Sequence, residues 1–216
     1  MFEYIEVKGE LVCRSPLLYK KSDFTAVSSD LGHIYIIGGN DSKTFYTTCE
    51  KYDIETDTWS SIANLNIARD SAAVCIINNK YIYAFYGRTK FDKKEVTKTI
   101  EKYDIGQDVW KIINLNQFSE GAPSYLSMCV PIDSKTILLF GGFNDTTKTQ
   151  DCFNFYIDNC LMQKTTSLPT AASFSNSVIQ HDHKFYIIGQ GNASKYLYLY
   201  DIPKRTWKIE NSFTLP

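Results

Sequence analysis

An aromatic residue stands seven positions before a tryptophan three times in this chain: Tyr52 and Trp59, Tyr103 and Trp110, Tyr200 and Trp207. The surrounding segments read CEKYDIETDTW, IEKYDIGQDVW and LYLYDIPKRTW. A weaker copy, FYIDNCLM, keeps the spacing between Phe155 and Met162. Successive copies lie 51, 52 and 45 residues apart. Upstream of each is an apolar run ending on glycine: IYIIGG (34–39), IYAFYG (82–87), ILLFGG (137–142) and FYIIG (185–189). Lys21 to Gly39 and Arg69 to Gly87 span the same 18 steps without a gap. A fixed period of this kind makes the chain a string of similar units, each burying its faces on its neighbours.

The composition of the runs decides what the unit is. Tyr, Ile, Val, Phe and Trp fill them, and Gly, Asn and Asp lie between them, which is the make-up of short strands and hairpins. No segment of useful length carries a helical period. With 15 Tyr, 13 Phe and 3 Trp in 216 residues, the material for a packed core is ample. Each unit reads as a strand, a tight polar turn, a strand ending in Gly, a variable loop and two further strands. VCII (74–77) and ILLF (137–140) are apolar at every position, as strands covered on both faces require.

An apolar run ending in Gly-Gly, then Tyr-Asp and Trp, at a period near fifty, resembles the Kelch repeat. The resemblance covers almost the whole chain. It implies an all-β fold, a β-propeller built of Kelch-type four-stranded antiparallel blades, here at 21–65, 69–115, 122–168 and 172–213. It also implies that Trp59, Trp110 and Trp207 are core residues packed between blades. The chain departs from the pattern at Met162, at Tyr86-Gly87 and at Gly189-Gln190.

The N-terminus carries a fainter echo. Leu11 to Leu17 matches Trp59 to Leu65 in spacing, Leu17 to Lys21 matches Leu65 to Arg69, and Tyr4 falls where Tyr52 does. Residues 1–17 are therefore expected to form the last two strands of a preceding, decayed blade, giving about four blades plus a half blade. Leu215-Pro216 stops where another first strand would begin. Since a propeller must close to cover its blade faces, the expectation is an incomplete ring, finished by a partner or by a longer protein.

Charge and chemistry narrow the function. Lys and Arg number 23 against 24 Asp and Glu, a net charge of −1, which gives no long-range attraction to nucleic acid or an anionic membrane. No stretch approaches the roughly 20 apolar residues of a membrane span, and MFEYIEVKGE lacks the basic start and apolar run of a signal peptide. The six cysteines are scattered, so reduced thiols and a cytoplasmic location are expected. The sequons at Asn40, Asn144 and Asn192 read as turn residues. His33, His181 and His183 fall in short turns without a third ligand, so no metal or cofactor is expected. No serine elbow, phosphate-cradling loop or HExxH is present, and the chain is read as no enzyme.

Function is then expected in loops. A four-stranded meander puts the loop after the second strand and the crossover between blades on one face of the disc. The long loops, 40–48, 88–98, 143–150 and 190–195, belong to that face, with the crossover at 116–122. The expected role is a non-catalytic protein-interaction module or scaffold that binds its partner there. RTKFDKKEVTK (88–98) sets Arg88, Lys90, Lys93 and Lys94 around Phe91, a patch suited to an acidic segment of another protein. Phe143 and Asn144 open the corresponding loop of the third unit. Arg69 takes the place of a basic residue that the resemblance puts at the start of the innermost strand. It either lines the central channel and accepts a carboxylate, or holds a neighbouring loop by hydrogen bonds. Two alternatives stand beside this reading. One is the substrate-recognition part of a ubiquitin-ligase adaptor, whose BTB domain these residues do not contain. The other is a carbohydrate- or small-molecule-processing propeller enzyme, which would need converging metal ligands.

Overall fold

Tyr52 faces Trp59, Tyr103 faces Trp110, Phe155 faces Met162 and Tyr200 faces Trp207 across antiparallel ladders. The seven-residue spacing is thus the register of one hairpin repeated four times. The computed structural model describes residues 2–5, 10–91, 96–118, 124–144, 147–173, 178–188 and 197–210. All its regular elements are strands. A hairpin of β1 (Phe2–Ile5) and β2 (Glu10–Cys13) comes first. Blade one is β3 (Thr25–Ser28), β4 (His33–Ile37), β5 (Cys49–Asp53) and β6 (Thr58–Ile62). Blade two is β7 (Ala73–Ile77), β8 (Tyr81–Phe85), β9 (Ile100–Asp104) and β10 (Val109–Ile113).

The crossover to blade three contains β11 (Gln117–Phe118), read from the sequence as loop. It adds a short parallel strand to the outer edge of that blade. Blade three runs through β12 (Met128–Pro131) and β13 (Thr136–Phe140), a small hairpin of β14 (Phe143–Asn144) and β15 (Thr147–Lys148), then β16 (Cys152–Tyr156) and β17 (Leu161–Lys164). Blade four is β18 (Ile179–His181), β19 (Lys184–Ile188), β20 (Leu197–Asp201) and β21 (Thr206–Glu210). Each blade is an antiparallel meander, and β3, β7 and β12 stand side by side around a central cavity of about 630 Å³. The architecture is a β-propeller.

The core lies between blades. One cluster joins Tyr35 and Ile37 of blade one to Ile82, Tyr103 and Trp110 of blade two. A second joins Tyr83 and Phe85 to Leu139, Phe155 and Met162. A third joins Leu138 and Phe140 to Phe185, Tyr200 and Trp207. Met162 is 0% exposed, so the thioether fills the tryptophan's place without a void. Trp110 and Trp207 are 5% and 9% exposed, as core residues should be. Trp59 departs from the expectation: it is only half-buried, and its Nε1 donates to the Ser15 carbonyl, in the segment before blade one, at 2.9 Å.

Polar clamps fasten blades one and two to what precedes them. Asp57 and Asp108 occupy left-handed turn positions (φ 53° and 51°), which Asp tolerates better than most residues. Asp108 accepts from the Tyr103 hydroxyl at 2.6 Å and from the Ala63 amide at 2.8 Å. Asp57 accepts in the same way from Tyr52 at 2.5 Å and Ser15 at 3.0 Å. Deeper in, Glu101 accepts from the amides of Asn66 and Ile67, and Glu50 from that of Leu18. Residues 14–21 therefore make against blade one the contacts that 63–69 make against blade two. Buried carboxylates are tolerated here because amide donors and a cation satisfy them. Arg69 pairs with Glu101 at 2.5 Å and Lys21 with Glu50 at 2.8 Å. Blades three and four replace both partners together, with Ser124 and Phe153, then Ala172 and Tyr198. That is the economical solution, since deleting one member of a buried pair strands the other's charge.

Two measurements check this packing. Trp110→Ala is expected to lose about 3–5 kcal/mol in urea unfolding, and Trp59→Ala less than about half of that. The Ala63 amide and the Tyr103 hydroxyl hold the Asp108 carboxyl below its ordinary pKa, and Tyr52 and Ser15 do the same for Asp57. A depressed folded value stabilises above the unfolded value and loses that contribution as pH falls through the folded one. The melting temperature is therefore expected to fall on acidification below about pH 4, and less steeply in Asp108→Asn.

Candidate functional site

At the mouth of the channel, the residue after each glycine pairs with a residue preceding the innermost strand: Asn40 with Ser22, Arg88 with Asp70, and Phe143 with Tyr125. In the charged pair the amides exchange bonds of 2.9 and 3.0 Å, with like exchanges in the other two. The next residues, Asp23, Ser71 and Leu126, all adopt left-handed φ values of 51–53°. The Ser71 amide donates to the Asp23 carbonyl and the Leu126 amide to the Ser71 carbonyl, which laces three blades together around the channel. One backbone scaffold thus presents three chemistries: a polar pair, an ion pair and an aromatic pair.

The ion pair is the centre of the arrangement. Asp70, whose side chain is buried, accepts from Arg88 Nε at 3.1 Å and Nη2 at 2.6 Å. It also accepts from Asn40 Nδ2 at 2.7 Å, which donates again to Asp23 at 2.9 Å. The bond to Asp70 raises the Arg88 pKa above its ordinary value. The guanidinium carbon lies 5.8 Å from the ring centres of both Phe45 and Phe91, which are themselves 4.2 Å apart. Cation–π attraction and ring contact therefore bind the long loops of blades one and two into one surface. Among the described residues Arg88 Nη1 makes no hydrogen bond. In the neighbouring loop Asp41 accepts from the Tyr46 hydroxyl at 2.7 Å and from the amides of Thr44 and Lys43. Those bonds, the hydroxyl's first, hold its carboxyl below the ordinary pKa.

The residues singled out from the sequence fall into three groups. Arg88, Phe91 and Lys90 share this surface, with Phe91 38% exposed and Lys90 exposed. Phe143 lies at the third position of the same scaffold, stacked on Tyr125 at 5.6 Å. Lys93 and Lys94 lie outside the described residues, as does the side chain of Asn144. Arg69 is 1% exposed and points into the protein, so burial removes the channel-lining role and leaves the loop-holding one. Asn40 is 2% exposed and spends its amide inside the network, so its sequon is a structural residue. Among the described residues no three His, Cys, Asp or Glu side chains converge as metal ligands.

Asp23, Phe45, Asp70 and Tyr125 escaped the sequence reading, and Asn40 entered it only as a turn residue. A signal for three of them was present. Asn40, Arg88 and Phe143 each follow the last glycine of an apolar run, and 18 residues before each stands its bridge partner: Ser22, Asp70 and Tyr125. Phe45 has no such mark, since it lies in a loop whose length varies between units.

Residues 23–66 match the Kelch motif. The chain is 29% identical over 141 residues to a RING finger domain and kelch repeat-containing protein of Dictyostelium discoideum, covering 61% of this chain and 12% of that protein. It is 37% identical over 62 residues to Kelch-like protein 4 of Homo sapiens, covering 29% of this chain and 8% of the relative. With Kelch repeat and BTB domain-containing protein 2 of Horsepox virus it shares 28% over 117 residues, covering 51% and 21%. The chain thus spans only a small part of the length of these relatives. Among solved structures, YjhT superposes with a TM-score of 0.73 at 15% identity, covering 92% of this chain and 67% of that one, a likeness of fold.

The Asp70 hub is open to test. Asp70→Asn puts an amide donor against the donors of Arg88 and Asn40, and is expected to cost about 1.5–3 kcal/mol in urea unfolding. A loss below about 0.5 kcal/mol, the range of an ordinary surface change, would contradict the hub.

Proposed function

We propose that this chain, with its Kelch motif and propeller fold, is a non-catalytic module or scaffold that binds another protein on its long-loop face. The observation that carries the reading is Arg88: a guanidinium fixed by the buried Asp70 beside the exposed ring of Phe91. Fixed arginines and aromatic rings are the usual anchors of protein interfaces, because little entropy remains to be lost on binding. Kelch-repeat proteins bind other proteins, which supports the same role here. Lys90, Lys93 and Lys94 belong to the same loop and favour an acidic partner segment, with Phe143 and Asn144 extending the surface into blade three. All six cysteines are unpaired, which supports a reducing compartment such as the cytoplasm.

The names of two relatives favour a narrower version. One carries a RING finger domain and another a BTB domain. In that version the face receives the substrate of a ubiquitin ligase, and the chemistry of the surface is unchanged.

The test is affinity capture from the source cell with the chain and with a Lys90→Glu, Phe91→Ala, Lys93→Glu, Lys94→Glu variant. The variant is expected to stay folded, with only the small drop in melting temperature that follows from losing the Phe45–Phe91 contact, and to lose roughly tenfold or more of the captured protein, the worth of an interface anchor. A glutamate-rich peptide is expected to displace the partner and a lysine-rich one to leave it bound. Equal capture by both forms would refute this face as the site.

A further inference from the structure

Arg69 is buried, yet its donors reach the two ends of the loop that displays Arg88 and Phe91. Nη1 donates to the carbonyl of Tyr86, just before the loop, at 2.8 Å, and to that of Thr99, just after it, at 3.1 Å. Nη2 donates to Thr99 Oγ1 at 2.8 Å and to Glu101 at 2.5 Å, and Nε to the Ile67 carbonyl at 3.3 Å. The Tyr86 amide closes the same ring by donating to the Thr99 carbonyl. Tyr86 needs the support. It holds a left-handed φ of 56° where blade one has Gly38, a conformation that costs a residue with a Cβ.

Blade one repeats the device in reduced form. Lys21 pairs with Glu50 and donates to the carbonyl of Thr48 at 3.2 Å, at the end of the 40–48 loop. An ammonium satisfies that single end. The longer loop of blade two has both ends tied, which a planar guanidinium achieves and a point charge does not. Blades three and four, with Ser124 and Ala172 at this position, lack the cation.

We propose that Arg69 is a positioning residue for the recognition loop, a clamp that sets the separation of its two ends from beneath. Its neighbour Asp70 fixes Arg88 from the same dipeptide, so residues 69–70 hold both the base of the loop and its first side chain. The importance of this clamp for recognition rests on the reading of the long-loop face as the binding surface. The clamp itself does not.

Amide hydrogen exchange on the whole chain tests it without a partner. In Arg69→Lys, exchange at Tyr86, Arg88 and Thr97 is expected to quicken by roughly tenfold or more, while Tyr198 and Tyr200 of blade four keep their rates. Thr99→Val, which removes the hydroxyl that Arg69 Nη2 reaches and leaves both charges of the buried pair in place, is expected to quicken the same three amides and serves if the lysine variant does not fold. Unchanged rates at those amides, or an equal rise through all four blades, would overturn the clamp. Failure of the capture experiment with these rates as expected would sink the binding reading alone.

Discussion

A four-stranded blade cannot cover its own faces, and every other feature of this protein follows from that. The second strands, with IYII, IYAF, ILLF and FYII, are apolar at every position, so each blade must lie between neighbours. Stacking buries the backbone of the crossover that passes from one blade to the next, and those amides need acceptors away from water. Glu101 and Glu50 supply them from the third strand, and Arg69 and Lys21 neutralise the carboxylates. Asp108 and Asp57 repeat the service nearer the rim. Hydrophobic area gives the stacking its strength, and these clamps give it a register.

The same demand shapes the long-loop face. Because Arg69 and Asp70 are adjacent, one side chain turns inward to the clamp and the other sideways to Arg88. Asp70 in turn reaches Asn40 of blade one, and the rings of Phe45 and Phe91 meet above it. The loops of two blades thus become one surface with a fixed guanidinium. A mobile lysine patch would have attracted an acidic partner with little specificity, whereas a guanidinium held on two atoms has a defined direction.

Much of the fold was legible because the repeat encodes hairpin register directly. The Tyr-to-Trp spacing fixes two opposed residues, and four copies fix the architecture. What the sequence concealed were substitutions that act in pairs. Met162 in place of tryptophan looked like decay, yet it packs without a void. The absence of a cation at Ser124 makes sense only beside Phe153, a residue 29 positions away. Trp59 looked identical to Trp110 but is half-buried where Trp110 is buried. Arg69 shows the limit most clearly: its type and position suited a channel-lining residue equally well, and only the location of Glu101 assigns its direction. Arg88 was visible as a loop cation, whereas its partner Asp70 went unmarked in the sequence reading.

On the function proposed above, partners meet this protein on the face built from the long loops. The most direct measurement is an exchange footprint of the chain with its captured partner bound. Protection is expected in 40–48, 86–91 and 143–150, with the tight turns at 29–32, 54–57 and 105–108 on the opposite face unchanged. Protection confined to those turns would contradict the claim, because it would place the partner on the short-turn face, far from Arg88.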